Sequence, residues 1–304
     1  MDRETLLGAA RAFLPEIGRR AAEFETARRI PADLARRMAD AGLFSLLVPR
    51  AYGGAESDPL TYLDLIETLA TADGSAAWVT FIAITSGLTS AYLPPHTARE
   101  IYGRRGVVTG GVFAPRGRAV DLGDGTYEVS GRWQWGSGTQ NADWIMGGCL
   151  IVKDGKPDML PGLLPNTRMF LRPAAEVTIH DTWHVSGLRG TGSNDIEFPP
   201  ARLHRDYSVG LTTDTPMGGP LYAFPAFGLL ALGIGAVALG LARAAIDDLT
   251  ALAGAKTPES HRRPLAQRPE TQEGVAEAEA LTASARAWLH DVTARAWDAA
   301  QRSG

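Results

Sequence analysis

The residues best suited to chemistry lie in one short stretch, "GRWQWGSGTQNADW", at positions 131–144. In a regular strand Trp133 and Trp135 point to one face, and Ser137 shares that face if the strand continues. Two core tryptophans followed by a turn would explain this pattern. A flat heteroaromatic cofactor would also explain it. An indole would lie against the cofactor, the serine hydroxyl would bond a ring nitrogen, and the flanking glycines would permit close approach.

A second glycine-rich stretch, "WHVSGLRGTGSND", covers positions 183–195. It lacks the Gly-Lys-Ser/Thr ending that a phosphate-binding P-loop requires. What remains is a turn between strands that offers backbone N–H groups, the guanidinium of Arg189 and the hydroxyls of Thr191 and Ser193. This turn is a candidate edge of an anion or cofactor site. The alternative is a glycine-rich hairpin with a solvated arginine.

The other motifs do not support a site. "GIGAVA" at positions 233–238 matches a dinucleotide fingerprint, but it lies in a helical pattern with no strand before it. His180 and His184 lie four apart on a strand-like segment without a third ligand, so no metal site is predicted. Cys149, in the apolar run "IMGGCLIV", is predicted to be a core thiol rather than a nucleophile.

The periodicity of the chain predicts the elements that must position these residues. Apolar residues recur at helical spacing up to about position 105, and the almost wholly apolar "SAAWVTFIAITSGLTSAYL" predicts a helix in the middle of that domain. Alternation with a period of two follows, and helices return from position 220. The prediction is an α+β multidomain protein. It has an N-terminal helical domain (1–105), a central antiparallel β barrel or sandwich (106–215) and part of a C-terminal helical bundle (216–304).

Composition limits the class of protein. The 304 residues are 45% hydrophobic and carry a net charge of −4. Lys and Arg are scattered along the sequence and form no basic stripe, which argues against a nucleic-acid partner. The single cysteine and the lack of a signal-peptide pattern predict a cytoplasmic protein. Positions 221–242 carry no charge, but their glycine, proline and alanine content predicts a buried core helix rather than a membrane span.

Taken together, these zones and motifs resemble the acyl-CoA dehydrogenase superfamily of flavoproteins, and most closely its two-component flavin-dependent monooxygenase branch. The resemblance covers essentially the whole chain. It rests on "LFSLLVPRAYGG", "ETLATADGSAAW", "TYEVSGRWQWGSGTQNADW", "WHVSGLRGTGSND" and "RRPLAQRPETQEGVAEAEAL". It implies flavin, either FAD or FMN, bound between the β domain and a four-helix bundle that assembles dimers or tetramers.

The resemblance also implies roles for individual residues. Trp135 would stack on the flavin ring, and Ser137, the catalytic candidate, would hydrogen-bond near flavin N5. Four further candidates for cofactor binding follow by position. Arg189 and Ser193 would lie on the flavin or substrate side of the β domain. Arg263 and Gln272 would lie in the bundle segment that contacts a neighbouring subunit's flavin phosphates.

In the monooxygenase branch, a separate reductase supplies reduced flavin, which forms a C4a-hydroperoxide that hydroxylates an aromatic or polycyclic substrate. The alternatives are an acyl-CoA dehydrogenase and a truncated flavin-binding subunit without turnover. No glutamate base occurs between Leu221 and Ala255, and "GVFAPRGRAVDLGDG" is closer to the monooxygenase pattern. The branch's usual histidine lies on a late bundle helix. With two of four bundle helices before Gly304, the sequence predicts truncation of a longer parent.

Overall fold

The computed structural model describes residues 1–259 and 262–303. The N-terminal region is helical, and aspartates begin several of its helices. Asp2, Asp58 and Asp73 each accept hydrogen bonds from backbone N–H groups in the first turn, which satisfies donors that the helix itself leaves unpaired. The helices of this region are α1 (Arg3–Ala27), α2 (Ala32–Asp40), α3 (Pro59–Ala70), α4 (Gly74–Gly87) and α5 (Pro95–Tyr102).

Helix α4 lies in the middle of this region, as its sequence predicts. Nearly every residue from Gly74 to Gly87 is buried, and the helix packs against α3, against the bundle helix α7 (Ala226–Ala255) and against the first strand of the sheet. A helix that is apolar on all sides needs neighbours on all sides. Helix α4 therefore connects the helical region with the β domain, and one of its side chains reaches the candidate site.

The central region is a sheet whose strands follow one path, β10-β7-β3-β1-β2-β9-β8, with β4 paired to β3 and a separate hairpin of β5 and β6. The strands are β1 (Thr109–Asp121), β2 (Thr126–Gly136), β3 (Trp144–Lys153), β4 (Lys156–Pro157), β5 (Met159–Leu160), β6 (Leu164–Pro165), β7 (Thr167–Pro173), β8 (Thr178–His180), β9 (Asn194–His204) and β10 (Ser208–Val209).

The predicted antiparallel arrangement is confirmed for most strand pairs, but β1 and β3 are parallel. Strand β2 returns beside β1 as a hairpin, and the chain then crosses to the other side of β1 before β3 begins. A period of two is the same in parallel and antiparallel strands, so the sequence pattern alone does not show this crossing.

The C-terminal region contains the short helix α6 (Pro220–Ala223) and the two long helices α7 and α8 (Pro269–Ser303). Glycines bring α7 close to its neighbours, because a Cβ at Gly240 would lie 2.4 Å from Ala70 Cβ, and one at Gly233 would lie 2.1 Å from the Tyr62 hydroxyl. This close approach of small residues is the packing that the sequence predicts.

Only one face of α7 is buried. Leu229 and Val237 are inside, whereas Phe227 is 64% and Ile234 52% exposed. By length and composition alone α7 could cross a membrane, and 39% of its most apolar window is buried; the core helices of soluble proteins pass the same test. The predicted domain boundaries, at 105/106 and 215/216, fall between elements and stay predictions.

Candidate functional site

The site begins at an irregularity in strand β2. Trp133 pairs with Ile196 of β9, and the next registered pair is Gly136 with Asn194, so β2 contains one more residue than its partner across this step. Trp135 lies inside the step and has a left-handed backbone, with φ of 67°. An extra residue of this kind is a β-bulge, which bends a strand and re-aims its side chains.

The bulge gives the two indoles different environments. Trp133 is fully buried and donates its indole N–H to the Gly148 carbonyl at 2.7 Å, while Trp135 is 67% exposed. The shared face predicted from regular alternation is therefore wrong, because the strand is not regular here. Trp133 is a core residue, and the indole of Trp135 is available to a flat ligand.

Ser137 follows Trp135 closely but points inward. It is 5% exposed, and its hydroxyl lies 2.6 Å from the hydroxyl of Ser193, which lies 2.7 Å from that of Thr191. The two glycine-rich stretches of the sequence therefore meet. A backbone bond from Gly138 N–H to the Thr191 carbonyl, at 2.9 Å, holds the two loops together.

Trp78 is a member of this cluster that sequence reasoning missed. It lies on α4, and its indole N–H donates to the Ser137 hydroxyl at 3.1 Å. The contact joins residues 59 positions apart, so periodicity does not show it. The signal in the sequence is the tryptophan itself, because an indole N–H that is removed from water usually finds an acceptor.

The loop positions of the cluster are tightly set by glycine. Gly138 has φ of 72°, and a Cβ there would lie 2.9 Å from Val79 Cγ1 on α4. At the start of α4, burial raises the pKa of Asp73, although hydrogen bonds from the Ala76 and Ser75 amides act in the opposite direction. The bond from the Ala76 amide to Asp73 holds the start of α4, and the absence of a side chain at Gly138 lets the loop after Ser137 approach Val79 on the same helix.

The remaining predicted residues lie outside this cluster. Arg189 begins the 3-10 turn that contains Thr191, but its guanidinium faces α1, where its Nε lies 4.0 Å from the carboxylate of Glu25. Ser193 is therefore brought to Ser137, and Arg189 is not. A role for Arg189 toward a ligand stays a prediction.

Arg263 and Gln272 lie at the α7–α8 connection. Both are exposed, and Gln272 donates to the Ala266 carbonyl at 2.9 Å and lines a groove of about 520 Å³ beside Ile246 and Val275. Within residues 1–259 and 262–303, no hydrogen bond connects either residue to the Ser137 cluster. Their contact with a neighbouring subunit's flavin stays a prediction.

One group of side chains has ligand types suited to a metal, namely Asp64, Glu67 and His290, whose ligand atoms lie within 4.8 Å of one another. Arg286 donates to both carboxylates, at 2.9 Å and 2.8 Å, and Arg3 also bonds Asp64. The two guanidiniums already neutralise these oxygens. The group is an ion-pair network that joins α1, α3 and α8.

The cluster fits the flavin that the resemblance implies. Trp135 offers an exposed indole face, and the Ser137 hydroxyl beside it has two lone pairs, of which Trp78 uses one. Gly136 and Gly138 flank the serine without side chains. An isoalloxazine ring needs these features: an aromatic face, a polar contact at its edge and close backbone approach.

Two family models match this chain in comparisons with known proteins. The acyl-CoA dehydrogenase N-terminal domain model matches residues 2–96, and the C-terminal domain model matches residues 232–304. Indole-3-acetate monooxygenase of Pseudomonas putida is 33% identical over 281 residues, which are 92% of this chain and 70% of that protein.

Two further proteins are similar. The oxygenase subunit HsaA of the flavin-dependent monooxygenase of Mycobacterium tuberculosis is 34% identical over 74% of this chain and 57% of its own length. The crystal structure of HsaA matches with a TM-score of 0.87 and 27% identity, and the match covers 100% of this chain and 78% of HsaA. XiaF from Streptomyces sp., solved with FADH2 and glycerol, matches with a TM-score of 0.87, 25% identity and coverage of 98% and 76%. The chain therefore belongs to the acyl-CoA dehydrogenase superfamily, among its flavin-dependent monooxygenases.

Proposed function

We propose that this chain is the oxygenase component of a two-component monooxygenase that hydroxylates an aromatic or polycyclic substrate with reduced flavin. The observation that carries the proposal is the turn at residues 135–137, where an exposed indole comes two residues before a buried serine hydroxyl that keeps one lone pair not used by Trp78. The names of the relatives support the substrate class, because indole-3-acetate is aromatic.

In this proposal each residue of the turn has a separate task. Trp135 binds the flat face of the flavin, and Ser137 holds its edge at N5 through a hydrogen bond. When bound, reduced flavin supplies the two electrons with which one oxygen atom of O2 enters the substrate and the other leaves as water. Half-buried Trp78 and the buried residues around it on α4 exclude water from the side of Ser137 that faces the protein.

The proposal includes partners beyond the substrate. A separate flavin reductase supplies the cofactor, in keeping with the description of HsaA as an oxygenase subunit. The chain assembles as a homodimer or homotetramer in the cytoplasm. In that assembly Arg263 and Gln272 contact the flavin phosphates of a neighbouring subunit, and Arg189 lines the ligand side of the β domain together with Ser193.

Stopped-flow mixing with oxygen tests the proposal. The flavin-loaded, reduced protein is mixed with O2 with and without an aromatic substrate such as indole-3-acetate, and product and hydrogen peroxide are measured. We expect Ser137→Ala to raise the share of electrons lost as peroxide about fivefold, the effect of one hydrogen bond of roughly 1 kcal/mol. Ser186→Ala, which removes an exposed hydroxyl of the neighbouring loop, is the matched control.

Two outcomes contradict the proposal. If an acyl-CoA thioester bleaches the oxidised flavin of this protein, the chain is a dehydrogenase. If Ser137→Ala and Ser186→Ala lose electrons to peroxide equally, the serine has no part in controlling the reaction with oxygen.

A further inference from the structure

The hydroxyl of Ser137 belongs to a chain of hydrogen bonds with a fixed direction. The chain runs from Trp78 Nε1 to Ser137 Oγ (3.1 Å), to Ser193 Oγ (2.6 Å), to Thr191 Oγ1 (2.7 Å) and to the Leu188 carbonyl (2.9 Å). Its two ends have only one possible role each. An indole nitrogen only donates, and a carbonyl oxygen only accepts.

The two ends determine where every proton lies. Thr191 must give its proton to Leu188, because a carbonyl at 2.9 Å has none to offer. Ser193 must then give its proton to Thr191, and Ser137 must give its proton to Ser193. The four hydrogen bonds use the indole proton and the three hydroxyl protons, so no proton is left over.

Burial makes this order costly to break. Ser137, Ser193 and Thr191 are 5%, 4% and 2% exposed, so water does not readily replace a lost partner. A buried hydroxyl without a partner costs more than a typical hydrogen bond gains. The direction of these hydrogen bonds is therefore set in the folded protein before any ligand binds.

We propose that Ser193 and Thr191 are positioning residues that make Ser137 an acceptor toward its ligand, so that the site prefers reduced flavin to oxidised flavin. The inference rests on the proposed function. Reduced flavin carries a proton on N5 and donates it to the remaining lone pair of Ser137. Oxidised flavin presents an N5 lone pair, which meets a hydroxyl whose proton is already committed to Ser193.

Substitution of Thr191 or Ser193 is expected to change this preference in a graded way. In Thr191→Val, Ser193 loses its acceptor and turns its proton toward Ser137, whose own proton is then free to donate. In Ser193→Ala, the proton of Ser137 is also free to donate, but Ser137 keeps one lone pair that can still accept the N5 proton of reduced flavin. Thr191→Val should therefore lower the preference for reduced flavin more than Ser193→Ala does.

Anaerobic titration measures this preference as the ratio of the dissociation constants of oxidised and reduced flavin, with FAD and FMN as the probes. We expect the ratio to exceed ten in the wild type and to fall about tenfold in Thr191→Val. For a two-electron couple, a tenfold fall in this ratio lowers the midpoint potential of bound flavin by about 30 mV. Ser193→Ala should give an intermediate ratio. Thr191→Ser restores the hydroxyl and the wild-type ratio, and Ser186→Ala leaves the ratio unchanged.

The outcomes separate this inference from the proposed function. If the wild type binds flavin and hydroxylates an aromatic substrate, but both variants keep the wild-type ratio within twofold, the inference is wrong and the function stands. If the wild type binds neither form of flavin, both are wrong. Thermal melting of each variant shows whether it is folded, and Ser193→Ala decides the question if Thr191→Val does not fold.

Discussion

Replacement of Trp135 by glycine separates the binding role of this residue from any role in stability. Its left-handed backbone costs a non-glycine residue about 1–2 kcal/mol, which glycine does not pay. Against this gain, the side chain is 67% exposed, so about a third of the 150–250 Å² that a tryptophan can bury is lost. At 25 cal/mol per Å² this loss is about 1–2 kcal/mol. The free energy of unfolding should therefore change by less than about 1 kcal/mol.

Trp133 is the matched comparison, since it lies two residues earlier and is fully buried. Its ring fits against glycines, because a Cβ at Gly117 or Gly147 would lie 2.2 Å or 2.6 Å from it. Trp133→Phe leaves a cavity and deprives the buried Gly148 carbonyl of its indole donor. These two effects together should cost about 3 kcal/mol.

Urea denaturation of the flavin-free variants, followed by anaerobic titration with reduced flavin, tests both expectations. Trp135→Gly should unfold near the wild-type midpoint but bind flavin about tenfold more weakly, which corresponds to a lost stacking contact of roughly 1.4 kcal/mol. Trp133→Phe should show the opposite pattern. The reasoning is refuted if Trp135→Gly loses about 3 kcal/mol of stability, or if its flavin affinity equals that of the wild type.

Three further predictions concern the core. Burial raises the pKa of the Cys149 thiol from 9.0 to about 12, so a thiol reagent at pH 8 should label Cys149 only after unfolding. Because the folded-state pKa of this thiol is higher than the unfolded one, its burial contributes stability below pH 9, and that contribution is lost as the pH rises toward 12. Gly147→Ala should lower the free energy of unfolding by about 1–3 kcal/mol, measured in urea, because its Cβ overlaps the Trp133 ring. Asp214→Asn should cost about 3–5 kcal/mol in the same assay, because it leaves the buried charge of Arg168 without its partner; an unchanged midpoint would contradict this.

The stability cost of Asp214→Asn should depend on pH, because the carboxyl group of Asp214 titrates. Burial acts to raise its pKa, but hydrogen bonds from Arg168 and the Gly210 amide outweigh burial, and the pKa is lowered. A lowered folded-state pKa stabilises the fold above the unfolded value near 3.8 and loses that contribution as the pH falls through the folded value. The difference in stability between wild type and Asp214→Asn should therefore shrink below about pH 4.

Sequence patterns predicted the elements well where one physical rule decided them. Helix α4 is apolar all round and lies in the middle of its region, and the aspartate before it begins the helix. The small residues of α7 allow close packing, as at Gly240. Each of these features depends on the local sequence alone, so no knowledge of distant contacts was needed.

The features that the sequence did not reveal depend on pairing between distant segments. The parallel β1–β3 pair and the contact of Trp78 with Ser137 both follow from how the chain crosses, and alternation carries no such information. The meeting of the two glycine-rich stretches at Ser193 is of the same kind. Each stretch is a candidate by its own sequence, but only the fold brings the two together.

The bulge in β2 shows how one residue separates structure from function. A regular strand would point residues 133, 135 and 137 to one face, so an exposed Trp135 and a buried Ser137 could not follow a buried Trp133. The extra residue between the Trp133–Ile196 and Gly136–Asn194 pairs breaks this constraint. The backbone strain at Trp135 accompanies an arrangement in which one indole fills the core and the next is exposed for a ligand. The register of β2 therefore determines the arrangement of the site as much as the identity of its side chains does.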